Sequence, residues 1–174
     1  DDLVAFFADR LKVQQKEKGT RHDLIDAVFS LGGGDDLVRL LSRVSALQAF
    51  LGTDDGENLL AGYKRASNIV RIEEKKDGIA HDGRVNSDLC SELEEKLLPD
   101  AIELAQAAVN GAVTDERFED AMAAIAALRA PIDAFFDKVI VNADDSNVRE
   151  NRLRLLSAIR GSLNAVADFS KIEG

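Results

Sequence analysis

Apolar residues return in this chain at helical spacing, block after block, and glycine or a turn-forming cluster closes most blocks. Leu3, Phe6, Phe7 and Leu11 form the first set, and Gly19 follows as a stop, so a helix is expected over about residues 2–17. A short helix from Asp23 to Leu31 should end at Gly32-Gly33-Gly34, and another from Asp36 to Phe50 places Leu37, Leu40, Leu41, Val44 and Leu47 on one face. This 3.6-residue period favours helix over strand. Only two prolines, no Trp and an abundance of Ala, Leu, Asp, Glu, Lys and Arg point the same way. The expected class is all-α.

The later segments follow the same logic. Gly52-Thr53-Asp54-Asp55-Gly56 should break the chain before a helix from Glu57 to Glu74 that buries Leu59, Leu60, Tyr63, Ala66, Ser67 and Val70. Residues 75–87 have no period and read as an exposed, flexible loop. A long amphipathic helix is expected from Asp88 to Val109, with Pro99 kinking or dividing it near Leu98. Thr114, with Asp115 and Glu116 behind it, reads as the N-cap of a helix over 115–127. Pro131 suits the first turn of a helix over 131–141, and Asn147 with Glu150 has the form of a capping box opening a last helix that runs to Phe169. With no internal repeat, the 174 residues are expected to fold as a single helical domain.

Cys90 is the only cysteine, so an intrachain disulfide is impossible and a cytoplasmic setting is the default expectation. No apolar run approaches the roughly 18 residues that span a bilayer, so no membrane partner is expected. The opening Asp1-Asp2-Leu3-Val4 lacks both an initiator Met and a signal pattern, which suggests a piece of a longer chain.

A net charge of −10 opposes indiscriminate binding of nucleic acid, because that binding comes from cations neutralising phosphates. Local charge differs. Residues 56–76 set Lys64, Arg65, Arg71, Lys75 and Lys76 against Glu57, Glu73 and Glu74, while residues 146–174 set Arg149, Arg152, Arg154, Arg160 and Lys171 against Glu150, Asp168 and Glu173. At about 100° per residue Lys64, Asn68 and Arg71 share one polar stripe. Lys and Arg hold phosphates and Asn can read a splayed base, although a solvated face has the same pattern. Arg152 falls near the centre of the face defined by Leu156, Ile159 and Leu163, with Arg149 and Arg160 at one edge. Two readings stay open for it: an internal ion pair, with Asp144, Asp145 or Asp168 as partner, or a helix end that offers Arg149 and Arg152 to RNA.

Other chemistries find little support. His22-Asp23 and His81-Asp82 have the form of hydrolase metal ligands, but two histidines are too few for such a centre. Gly32-Gly33-Gly34 lacks the Lys and Ser or Thr of a phosphate-cradling loop. No nucleophile elbow or Cys–His pair is evident, so no self-contained active site and no metal are expected.

Several segments in order carry a resemblance. They are Phe6-Phe7-Ala8-Asp9-Arg10-Leu11, His22 to Val28, Arg43-Val44-Ser45-Ala46-Leu47, Lys64-Arg65-Ala66-Ser67-Asn68-Ile69, Pro131 to Asp137, Val139 to Asp145, Arg149 to Leu156, and Val166 to Lys171. Together they resemble the carboxy-terminal region of the β subunit of the bacterial two-subunit type of glycine–tRNA ligase, whose last domain is similar to the DALR-type anticodon-binding bundle of class I synthetases. The resemblance implies a non-catalytic tRNA-binding module. A separate catalytic α subunit, in an α2β2 assembly, would carry the ATP-dependent step, and the module itself would hold no cofactor. Lys64, Arg65, Asn68 and Arg71 on one helix and Arg149 and Arg152 on another become the candidate contacts to glycine tRNA. The alternative is a helical scaffold for subunit or interdomain contact without direct RNA binding.

Overall fold

The computed structural model describes Phe6, Asp9, Arg10, Val13, Gln14, residues 17–32 and residues 36–173. The helix expected over 2–17 therefore falls largely outside the described residues. Its six described positions, Phe6, Asp9, Arg10, Val13, Gln14 and Glu17, are helical and exposed. Helices α1 (His22–Phe29), α2 (Leu37–Leu51), α3 (Asp54–Asp77), α4 (Leu93–Thr114), α5 (Phe118–Ala126), α6 (Arg129–Lys138) and α7 (Ser146–Leu163) follow, with 3-10 turns at Ser87–Leu89 and Phe169–Lys171. No strand occurs among the described residues, and none of their helices is long and apolar enough to cross a membrane.

The helix ends show where side chains decide local structure. Asp36 caps α2 by accepting from the Arg39 N–H. Thr53 caps α3 by accepting from the Gly56 N–H, so the polar cluster expected to break the chain instead opens the helix, with Asp54, Asp55 and Glu57 in its first turn. Gly78, in the left-handed region at φ 71°, closes it. At Gly56 a Cβ would overlap the Phe50 carbonyl and stand 2.8 Å from the Leu51 Cα. The backbones of α2 and α3 touch there.

Three boundary expectations are corrected. Thr114 does not open a helix; its hydroxyl donates to the Asn110 carbonyl at 2.8 Å and ends α4, and the chain reverses through Glu116 at φ 59°. Pro99 does not divide α4, which runs on as one helix to Thr114. The cap of α7 is Asp145, which accepts from the N–H groups of Asn147 and Val148, while Glu150 turns outward to Arg154; α7 then ends at Leu163, before the expected Phe169.

One connected core joins the elements. α4 packs on α5, α6 and α7, α3 packs on α7, α6 and α2, and α1 packs on α2 and the C-terminal turn. Phe135, Phe169, Leu24, Leu47, Leu59, Leu98, Ile132 and Leu153 are among its fully buried members. The C-terminal segment is fixed by Phe169 against Tyr63 (5.5 Å between ring centroids), by the Asp168 N–H donating to the Ala27 carbonyl, and by the Glu173 N–H donating to Asp23. Arg43, buried, donates to the carbonyls of Ala165 and Val166 where the chain leaves α7. Of these residues, Tyr63, Phe169 and Glu173 line the candidate site.

The expected exposed loop at 75–87 is also different in detail. Lys75–Asp77 complete α3. Beyond them, His81 is buried against Asp77 (3.1 Å), Asn86 exchanges two hydrogen bonds with Asn151 of α7, and the Arg84 carbonyl accepts from Arg154. Sequence period does not register such polar ties.

Candidate nucleic-acid interface

Lys64, Asn68 and Arg71 line one cleft of about 650 Å³ between α3 and the C-terminal turn. Tyr63, Ser67 and Phe169 contribute its inner wall, Arg160 of α7 flanks it, and Ser170, Ile172 and Glu173 form the opposite rim. Helical spacing delivers the first three groups to one side of α3, and burial of Leu59, Leu60, Tyr63, Ala66 and Val70 fixes that side outward. The Arg71 guanidinium donates to the side-chain Oδ1 of Asn68 at 3.5 Å. Burial raises the Tyr63 phenol above its ordinary pKa, so it stays neutral.

A second cleft, about 480 Å³, adjoins the first and shares Tyr63, Arg160 and Ser170 with it. Its other lining groups include Asp82, Arg154, Ser157, Asn164 and Asp168. The two differ in charge. The first sets Lys64, Arg71 and Arg160 against Glu173, with Arg160 also paired to Glu74 of α3 at 3.3 Å, whereas the second balances Arg154 and Arg160 with Asp82 and Asp168. Loop residue Gly83 lies so close to Arg154 that a Cβ would stand 2.8 Å from its Nε.

The remaining candidates lie elsewhere. Arg65, one residue and about 100° round the helix from Lys64, lays its guanidinium over the Phe136 ring of α6 at 4.2 Å from the centroid. Arg149 pairs with Glu73 and, at 2.8 Å, with Asp77, and it also donates to Asn142. Hydrogen bonds from Arg149 hold both carboxyls below the usual range. Arg152 is 8% exposed. It donates to both oxygens of Glu95 (2.7 and 3.1 Å), to Ser91 Oγ and to the Ile140 carbonyl. Of the two readings of Arg152, the internal ion pair is the one observed, with Glu95 as partner instead of Asp144, Asp145 or Asp168. A guanidinium whose donors are spent inside the fold is not offered to a phosphate. The two basic helices therefore do not form a two-sided cradle; one supplies the cleft wall, and the amino-terminal half of the other braces the bundle.

Sequence reasoning placed Arg160 only at the edge of a buried face and did not select it. Its role depends on where the C-terminal turn folds back, and no local pattern encodes that. His22 pairs with Asp26 and His81 with Asp77, two separate contacts, and among the described residues no group of three or more His, Cys, Asp or Glu side chains could hold a metal ion.

Residues 59–173 match the family model of the DALR anticodon binding domain. The chain belongs to that family. Every residue lining the two clefts, from α3, α7, the loop at 82–83 and the C-terminal turn, falls within the matched span, which leaves only residues 54–58 of α3 outside among helices α3 to α7. Over 174 residues the chain is 57% identical to the glycine–tRNA ligase β subunit of Rhodospirillum centenum and 52% identical to that of Phenylobacterium zucineum. It is 51% identical over 173 residues to that of Cereibacter sphaeroides. These matches cover 99–100% of this chain and 24–26% of the relatives, in their C-terminal region. The chain thus spans about a quarter of the length of the curated relatives it matches.

Proposed function

We propose that this DALR domain binds the anticodon arm of glycine tRNA through the cleft lined by Lys64, Asn68, Arg71 and Arg160, and so supports aminoacylation carried out in the cytoplasm by a separate α subunit. The observation that carries the reading is the convergence of these groups on one cleft of a chain whose net charge is −10. Cations gathered on an otherwise acidic body select a local, shaped polyanion over nucleic acid in general. The charge-balanced neighbouring cleft suits an unpaired base. Glycine anticodons carry two cytosines, whose pairing edge offers an amino donor beside ring and carbonyl acceptors; Asp82 and Asp168 supply acceptors there, and Asn164 and the arginines supply donors.

The test is equilibrium binding of glycine tRNA to the complete ligase carrying Lys64→Ala or Arg71→Ala, with circular dichroism as the check on folding. Each variant is expected to bind several-fold more weakly and to lower the slope of log affinity against log salt by about 0.7 for each phosphate that is no longer neutralised. Arg65→Ala, outside the cleft, should change binding less. Unchanged affinity and unchanged slope in a Lys64→Ala/Arg71→Ala double variant would remove the proposal.

A further inference from the structure

α4 is apolar on two sides. Its inner side, Leu98, Ile102, Ala105, Val109 and Ala112, is buried in the bundle. Its outer side carries Leu93, Leu97 and Leu104 at 62%, 53% and 73% exposure, and at 100° per residue the three fall within an arc of about 40°. Ala108 and Gly111 continue the stripe. A single exposed leucine is ordinary, but a helix with a second apolar stripe about 120° round from its buried face is built to be covered on both.

We infer that the outer face of α4, centred on Leu97 and Leu104, is the docking surface for the portion of the same polypeptide that precedes this domain. The chain matches only the C-terminal quarter of its relatives, so about three quarters of a relative's length lies on the amino-terminal side. A covalently attached segment meets the face at a high effective concentration, which an independent subunit does not enjoy. A second copy is disfavoured by charge. Asp100 borders the stripe, with Lys96 and Glu103 further round the same side, and an isologous contact would bring together two molecules of net charge −10. The covering segment should present apolar side chains bordered by Lys or Arg.

The experiment places the photo-crosslinking amino acid p-benzoylphenylalanine at position 97 or 104 of the full-length β subunit, alone and assembled with the α subunit. Peptide mapping should find the adduct within the same chain, amino-terminal to these residues, in both preparations. An adduct to the α subunit, to a second β chain, or only to solvent would overturn the inference. A Leu97→Glu/Leu104→Glu variant of the full-length subunit gives an independent readout: it should melt several degrees lower and be cleaved faster by protease ahead of this domain, and an unchanged melt would count equally against it. The inference does not rest on RNA binding, so tRNA affinity measured on the same samples reports separately on the function proposed above.

Discussion

Arg152 and Glu95 face each other across the contact between α7 and α4, and each satisfies the other where water cannot reach. Burial by itself would raise the Glu95 carboxyl, but the guanidinium of Arg152 and the N–H of Glu92 outweigh that cost and hold its pKa below the ordinary range. A carboxyl depressed in the folded state adds stability above its unfolded pKa, about 4.3, and loses it as the pH falls through the lower folded value. Glu73 and Asp77, held low by Arg149, act in the same direction. Thermal melts from about pH 7 down to about pH 3 should therefore show a falling midpoint below about pH 4. Glu95→Gln should shallow that decline while lowering stability at neutral pH by about 3–5 kcal/mol, because it strands a buried guanidinium. A variant as stable as the parent at pH 7 would show that the pair is dispensable.

Helix-to-helix contact is decided at places where the sequence carries a turn signal. Gly56 is the clearest: its missing Cβ lets the start of α3 lie against the backbone of Phe50 and Leu51 at the end of α2. The obstacle to a side chain there is main chain, which cannot swing aside. Gly56→Ala, a substitution that raises helix propensity by about 1 kcal/mol, is accordingly expected to destabilise the protein by more than it gains, with a net loss of about 2 kcal/mol or more in urea unfolding. Stabilisation by Gly56→Ala would mean that the two helices can separate without cost. The polar cluster around Gly56 reads in sequence as a break, and in the fold it is both the cap of α3 and the point of closest approach.

The whole molecule is held shut by its own end. Phe169 is fully buried against Tyr63, and the segment from Asp168 to Glu173 ties α1 to α3 while forming one rim of the cationic cleft. Stability and the proposed tRNA binding should therefore be coupled through one turn. Phe169→Ala should cost about 3–5 kcal/mol and weaken tRNA binding together, since the cavity removes the wall behind Lys64 and Arg160. Ser170→Ala, on the exposed rim, should leave stability within about 0.5 kcal/mol. Denaturant midpoints and tRNA affinity measured on both variants check the coupling, which fails if Phe169→Ala binds normally.

Helical period determined the all-α class and the order of the helices, because a 3.6-residue repeat of apolar side chains is a local property that survives without any knowledge of partners. The same period put Lys64, Asn68 and Arg71 on one outward stripe. Which cations remain available was a tertiary matter: Arg65 met a ring of α6, Arg149 met two carboxylates near the end of α3, and Arg152 met Glu95, fifty-seven residues away in the chain. A charge is free or spent according to what packs opposite it, and that neighbour is fixed by how the bundle closes.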